Sequence, residues 1–541
     1  MTAAGAISLL VLGAMILAAA VVLWRRPAVA LPIFAIGFAL HNAVLMWLIH
    51  AEVPTLAVRA VQAWKETLLA VLAARLIYQV VQSGGGRYVA GRLEAWRRSP
   101  ALIRLLDATA ACYALLLIVY VLLPSGVLGA NGPGLSQRLI SFRAFGLIPG
   151  LYFCGRFWPP LADINWRWVT LGVVGAAACV AVLGIIELWF IPSRTWVDWG
   201  IIQFDGFLGF HYQGPGGLPE NFFQSTTGGL ALRRMVSTYL SPLGVAYTAL
   251  LVIPMAMAVA LRPPKARHSW AWLALTLIVI SLALSVTRLA LLCGVGEAAL
   301  MALLFRKRLA LVASCAIVVG MLLAVLAYPN YGPVVAFDLS DVRAPAGAQL
   351  VSALRGAPSG SPAPSGSPSP SPSPNPAGNL SADIVARAVS GQDESIKGHI
   401  QALNDGAAFT LQHPLGVGLG GAVPRYGNAT GPGESALFQV GEETGLVGLL
   451  LFILLYGLLT LMGLMRAFFE PIDRPGAALS LIVGIGGLAL APIVLTSQVW
   501  GNFSVTFFFW WVAGAAVTAW SANPWRRFEK QVEPGGPTSR I

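Results

Sequence analysis

Apolar residues follow one another along this chain in runs of about twenty, and the short segments between the runs hold most of the charge. A helix of about 20 apolar residues is long enough to cross the ~30 Å hydrocarbon core of a bilayer. The runs lack the polar–apolar alternation of a membrane β-barrel strand. They predict thirteen spans near 4–24, 28–49, 61–81, 104–123, 138–156, 167–190, 240–261, 270–287, 289–305, 309–327, 445–465, 476–496 and 503–521. The fold class expected is all-α, a polytopic helical membrane protein. The fifth run is the irregular one, with Arg138, Arg143 and Pro149. A charged residue at the centre of a lipid-facing helix costs about 2.5–3.5 kcal/mol, so these arginines are expected to face a cavity or the interface.

The chain then divides into membrane helices over 1–190, an extracytoplasmic loop over 191–239, helices over 240–327, a second and larger extracytoplasmic loop over 328–443, helices over 444–521 and a cytoplasmic tail over 522–541. Composition agrees. Of 541 residues 57% are hydrophobic and 11% charged, less than half the ~25% charge of a soluble domain. The net charge of +12 would suggest nucleic acid in a soluble protein, but orientation in a membrane accounts for it here. One side of the predicted topology, including Arg25/Arg26, the stretch from Arg87 to Arg104, Arg306/Lys307/Arg308 and Arg526/Arg527/Lys530, holds 21 of the 35 lysines and arginines. That side is expected to be cytoplasmic, which puts the C-terminus inside a cytoplasmic membrane and the two long loops outside. The first run has no basic residue before it and Trp24-Arg25-Arg26 after it, as a retained anchor would.

The larger loop contains SGSPAPSGSPSPSPSPNP, within a Pro/Ser-rich stretch of about 357–379 whose composition predicts an extended, disordered spacer. Short helices are expected in the rest of the loop. Cys112, Cys154, Cys179, Cys293 and Cys315 all fall in apolar runs, with neither metal-site spacing nor a disulfide pattern. No metal or cofactor is expected.

Candidate chemistry concentrates on the outer side. LRRMVSTYLSPLGVAY (232–247) places Arg233 and Arg234 before a helix start at which Ser241 is the expected N-cap and Pro242 the first helical residue. The plain reading of the two arginines is interfacial anchoring. LALSVTRLALLCGVGEAAL (282–300) places Arg288 at a tight turn between two apolar runs, where a lone cation needs an anionic partner or an aqueous cavity. Residues 395–452 carry Lys397, His399, His413, Arg425, Glu434, Glu442 and Glu443. There Gly416, Gly418 and Gly421 satisfy GxGxxG, but no strand precedes them. They are read as a turn whose N–H groups can face an anion. Glu442 and Glu443 are read as carboxylates at a helix N-terminus, and His413 before Pro414 as a turn residue.

In order, RRMVSTYLSPLGVAY, SVTRLALL and HPLGVGLG…GESALFQVGEETGLVGLL resemble the O-antigen ligase/polymerase family of bacterial surface-polysaccharide assembly. The motifs cover about 230–465 and the hydropathy pattern covers the whole chain. The second motif reads Thr-Arg-Leu-Ala where the family often has Ser-Arg-Gly-Ala, and Gly-Glu-Ser-Ala stands where ligases have a His-Asn-type segment. The resemblance implies an inverting, metal-independent transfer of glycan from a polyprenyl-diphosphate donor to a sugar hydroxyl on the outer face, with a polymerase favoured over a ligase.

The leaving diphosphate gathers charge that cations must meet, and guanidinium forks suit phosphate oxygens. Arg288 and one or both of Arg233 and Arg234 are the expected diphosphate ligands, with Arg143 of the fifth run as a further cation. Glu434, then His399, is the expected base for the hydroxyl. Partners would be the lipid-linked donor, a glycan or lipid-linked acceptor and the membrane, with no nucleic acid. Competing readings are a ligase to a lipid or protein acceptor, a transporter or flippase of lipid-linked glycan, and a non-catalytic scaffold. A transporter calls for intramembrane ionisable groups, for which the sequence offers Arg75 and Glu187.

Overall fold

The computed structural model describes residues 1–124, 127, 132–157, 164, 166–212, 214–225, 230–261, 269–305, 308–336, 341–342, 394–422, 435–469 and 475–522. The Pro/Ser tract, Arg425, Glu434 and the C-terminal tail lie outside these residues.

Every apolar run predicted to span the membrane forms helix over most of its described length. In chain order the helices are α1 (Ala3–Arg25), α2 (Ala30–His50), α3 (Thr55–Gln62), α4 (Trp64–Gln82), α5 (Gly86–Arg97), α6 (Ala101–Leu122), α7 (Leu135–Arg156) and α8 (Trp166–Phe190). Then come α9 (Ser193–Asp198), α10 (Ile201–Leu208), α11 (Pro242–Ala260), α12 (Trp270–Leu284), α13 (Arg288–Phe305) and α14 (Arg308–Tyr331). The rest are α15 (Glu394–Gln412), α16 (Ala436–Phe469), α17 (Pro475–Leu481), α18 (Gly487–Thr496) and α19 (Phe503–Ala522). A π-helical turn, Ile482–Gly486, joins α17 to α18.

Among the described residues ten helices are long and apolar enough to cross a membrane, and α4 with α5, bent by 105°, makes an eleventh. The two expected spans outside that number are α12, with 15 residues, and α7, with three arginines in its 22 residues. α12 is apolar but ends at the Ser285–Val286 turn, and three arginines dilute α7. The chain is a polytopic helical membrane protein.

How α7 is held matters for the site. Its Gly155 faces α19 so closely that an added Cβ would lie 2.0 Å from the Trp511 carbonyl oxygen. Gly514 makes the reciprocal approach, 1.9 Å from the Tyr152 carbonyl oxygen. Small residues let two backbones meet where lipid offers no hydrophobic drive to pack helices. At the same end of α7, Arg156 and Tyr152 converge on Asp107 of α6, at 3.1 and 2.6 Å to Oδ1. An arginine-bearing helix is thereby pinned into the bundle.

At the opposite end a cap covers the helices. It holds α3, α9, α10 and an antiparallel sheet, β1 (Phe223–Ser225), β2 (Leu230–Arg233), β3 (Val334–Ala336) and β4 (Asp341–Val342), in the order β1-β2-β3-β4. Leu230 pairs with Ala336 and Phe223 with Arg233, so the sheet stitches together the two long loops that the sequence keeps apart. Strands this short were not foreseeable from a period-2 pattern.

Candidate functional site: the arginine turn at the cap

Arg233 and Arg234 leave β2 side by side and do different things. Arg233 is buried, 5% exposed, and its guanidinium lies 2.9 Å from Glu187 of α8. A second nitrogen donates to the Ile191 carbonyl at 2.7 Å. Glu187 also accepts from Trp196 Nε1 at 3.2 Å and from the backbone N–H groups of Val236 and Ser237 at 3.3 and 3.4 Å. Arg233 and Glu187 therefore form an internal lock between the cap and α8. A buried pair satisfied on every side leaves that guanidinium no charge to offer a ligand. It also accounts for Glu187, the carboxylate that the transporter reading had put forward.

Arg234 points the other way, onto the turn between α12 and α13. Its Nε donates to the Ser285 carbonyl at 2.8 Å and another nitrogen to Thr287 Oγ1 at 2.9 Å. The Met235 N–H reaches the Leu284 carbonyl at 3.0 Å. These acceptors are neutral, so the arginine's charge is not spent on a carboxylate there. Burial pushes the Arg234 pKa down to about 10, repulsion from the neighbouring Arg288 adds to this, and Tyr247 and Tyr328 oppose it. The group stays a cation at neutral pH. Arg288, half-buried at the first turn of α13, follows directly on this turn. The structure thus brings Arg234 and Arg288 together from segments 54 positions apart.

The backbone here is strained. Val286 has φ +48°, and Ser237 (φ +49°) and Leu240 (φ +51°) flank the same contact. Left-handed backbone is unfavourable for any residue with a Cβ and most so for a β-branched one. Each such residue costs about 1–3 kcal/mol and persists where its surroundings over-determine it, often at a functional site. Ser241 caps α11 as its sequence implies, accepting from the Gly244 N–H at 3.3 Å.

From this turn polar contacts run towards α19. Tyr247 Oη reaches Ser497 Oγ at 3.4 Å, Thr248 Oγ1 lies 3.3 Å from Ser504 Oγ, and Ser504 Oγ donates to Asn502 Oδ1 at 2.7 Å. Beside them is a small hollow of about 20 Å³, lined by Tyr239, Thr248 and Ser504 and by apolar residues that include Phe38, Val173 and Phe507. Arg143 does not join Arg234 and Arg288. It pairs with Glu66 of α4, Nε to Oε1 at 2.7 Å, and its guanidinium carbon lies 5.4 Å from the Phe503 ring centroid. Lys65 reaches the same ring at 4.9 Å.

The glycine-rich stretch has a definite task. Val417 and Gly418 donate to the carbonyls of Glu442 and Glu443 at 2.8 and 3.1 Å, and Leu446 donates to the Pro414 carbonyl at 2.9 Å. These bonds dock the stretch on a break in α16, where Gly445 has φ +70° and a Cβ would lie 2.2 Å from the Pro414 oxygen. The Gly420 N–H does face an anion, the Glu443 carboxylate at 2.8 Å, which also accepts from Ser141 of α7. Glu442 and Glu443 lie two turns inside α16, at its break rather than at its N-terminus. His413 stacks on Phe409 with ring centroids 4.2 Å apart, and its Nδ1 is 3.0 Å from that residue's carbonyl, as a turn residue would be. His399 is exposed on α15. Among the described residues no group of three or more His, Cys, Asp or Glu gathers as a metal site would require.

Sequence reasoning missed Lys65 and Glu66, the charged pair just inside the third run, whose one signal was two charges next to Trp64 at the start of an apolar stretch. It also missed Glu297 in the middle of α13, fully buried with neither carboxylate oxygen hydrogen-bonded. No protein-family model matches the chain, and no curated protein matches it.

Proposed function

We propose that the protein is a membrane glycosyltransferase of the O-antigen ligase/polymerase type, acting at the cap on a polyprenyl-diphosphate-linked glycan. The observation that carries this reading is the pairing of Arg234 and Arg288 on a strained turn, with Arg234 bonded to neutral oxygens. Two adjacent cations held by backbone strain suit a dianionic group better than a lipid anchor.

In the reaction an acceptor hydroxyl oxygen attacks the anomeric carbon opposite the diphosphate. The new C–O bond forms as the bond to the phosphate oxygen breaks, and the electron pair leaves on the diphosphate with inversion at carbon. Arg234 and Arg288 meet that developing charge through guanidinium hydrogen bonds. The proton goes to a carboxylate, for which Glu434, outside the described residues, remains the nominee. Arg233 belongs to the scaffold in this scheme. The cap is taken as the extracytoplasmic face, as the distribution of basic residues implies.

One observation favours a second reading, a proton-linked transporter of lipid-linked glycan. Glu297 is an unpartnered carboxyl inside the bundle, on a helix that packs against α18 and the π-helical turn, and intramembrane ionisable groups commonly mark a transport path. Purified protein given lipid-linked oligosaccharide separates the readings. Longer chains mean polymerase, glycan on another acceptor means ligase, and neither means the transferase reading is wrong.

A further inference from the structure

Arg75, the other intramembrane charge that the sequence offers, is not inside the bundle. It is half-buried at the edge of α4, at the end of the bundle away from the cap. Ile77 and Tyr78 beside it on α4, and Val22 and Trp24 on α1, are all exposed, by 40% to 64%. On a membrane-spanning chain such an apolar surface is covered by lipid.

The position of Arg75 is set by α1. Its Nε donates to the Trp24 carbonyl at 3.0 Å. That carbonyl belongs to the last turn of α1, where no intrahelical N–H is left to meet it. The Arg75 guanidinium carbon lies 5.8 Å from the Tyr78 ring centroid, and the Trp24 and Tyr78 rings are 5.7 Å apart. Two aromatic side chains and an arginine thus close the groove between α1 and α4. Trp and Tyr at the end of membrane helices mark the level of the lipid headgroups.

The charge at this level is one-sided. Arg25 and Arg26 follow Trp24 directly and are exposed. The two helices carry one carboxylate between them, Glu66, which is nine residues and so about 13 Å along α4 from Arg75 and is paired with Arg143. The bond to Trp24 engages Nε with a neutral oxygen, so it leaves the charge of Arg75 and its terminal nitrogens to another acceptor. A cation on a lipid-covered surface costs free energy until an anion or a headgroup meets it.

We infer that the end of this groove binds the phosphate of an anionic phospholipid. Arg75 presents its two terminal nitrogens to the phosphate oxygens, a geometry that guanidinium forks match. Arg25 and Arg26 add positive potential, and Trp24 and Tyr78 lie against the glycerol and the upper acyl chains. Basic pockets between membrane helices bind acidic headgroups in this way. An anionic headgroup fits better than a choline one, because Arg75 already occupies the Tyr78 ring and the two helices bring no carboxylate near to meet an ammonium. The site is remote from the arginine turn and does not rest on the transferase reading.

The test uses the purified full chain in phosphatidylcholine nanodiscs containing a trace of photoreactive lipid. The probe is phosphatidylglycerol with a diazirine next to the glycerol on one acyl chain, and the reference is phosphatidylcholine with the same diazirine. After irradiation, mass spectrometry reads the labelling of peptides covering 18–26 and 72–82. The wild type should label there at least tenfold more with phosphatidylglycerol than with phosphatidylcholine. Arg75→Gln should lower that ratio by roughly tenfold or more. Arg25→Gln/Arg26→Gln, at an exposed helix end, should lower it too, and supplies the reading if Arg75→Gln does not fold. Arg98→Gln, whose arginine pairs with Glu94 on α5, should leave the ratio unchanged. Equal labelling by the two lipids in the wild type overturns the proposal, and so does a preference that survives Arg75→Gln. An equal fall in Arg98→Gln also overturns it, since the preference would then be general surface charge and not a site.

Discussion

Removing the Glu187 carboxylate should unlatch the cap from α8. That carboxylate accepts from Arg233, the Trp196 indole and the N–H groups of Val236 and Ser237, all inside the protein. In Glu187→Ala the Arg233 guanidinium is left buried and unpaired. Breaking a buried pair from one side costs about 3–5 kcal/mol. At about 1.4 kcal/mol per tenfold, local opening of the segment should rise by roughly two to three and a half orders of magnitude. Hydrogen–deuterium exchange read by mass spectrometry on peptides covering 233–239 measures this directly, because exchange follows the opening free energy. The double variant Glu187→Gln/Arg233→Met, which removes both charges and keeps volume, should recover most of the protection. Exchange in Glu187→Ala within about threefold of wild type, or a double variant more open than the single one, would refute the reasoning.

Two further outcomes follow from packing and from burial. Gly155→Ala or Gly514→Ala should separate α7 from α19 and lower the thermal midpoint in detergent, since either Cβ falls about 2 Å from a facing carbonyl oxygen; an unchanged midpoint would mean that the helices are not in contact. Asp205 on α10 is buried, and burial pushes its carboxyl up to about 7 from an ordinary value near 3.8. Because the folded-state value is the higher one, ionisation opposes folding, with no penalty below about pH 4 and the full penalty above about pH 7. Asp205→Asn should therefore exceed the wild type in thermal midpoint by a margin that widens from pH 5 to pH 8, and a constant margin would contradict this.

The helical membrane architecture was legible in the sequence because long apolar runs leave the backbone one way to satisfy itself in lipid. The fifth run was legible as an exception, since its arginines had to find partners. Arg143 found Glu66 and Arg138 found the carbonyls at the end of α6, Val121 at 3.0 Å and Leu123. The arginine turn was half legible. Its members could be named, but adjacent residues in sequence said nothing of Arg233 turning towards Glu187 and Arg234 towards Ser285. Arg233 ends β2 and Arg234 follows it, so the two side chains part where the strand stops. The strain at Val286 had no sequence signal, because a valine does not advertise a left-handed backbone. Likewise the acidic pair Glu442 and Glu443 read as a helix start, whereas α16 begins at Ala436 and breaks at Gly445.

The central claim is that Arg234 and Arg288 hold a diphosphate. Its most direct test is the affinity of the purified chain for undecaprenyl diphosphate in nanodiscs, compared among wild type, Arg288→Ala and a control, Arg92→Ala, on the exposed helix α5. Losing one charge-assisted hydrogen-bonding group is worth about 1.5–3 kcal/mol. Arg288→Ala should bind roughly ten- to 150-fold more weakly, with Arg92→Ala unchanged. An Arg288→Ala protein that binds undecaprenyl diphosphate as tightly as the wild type would contradict the account.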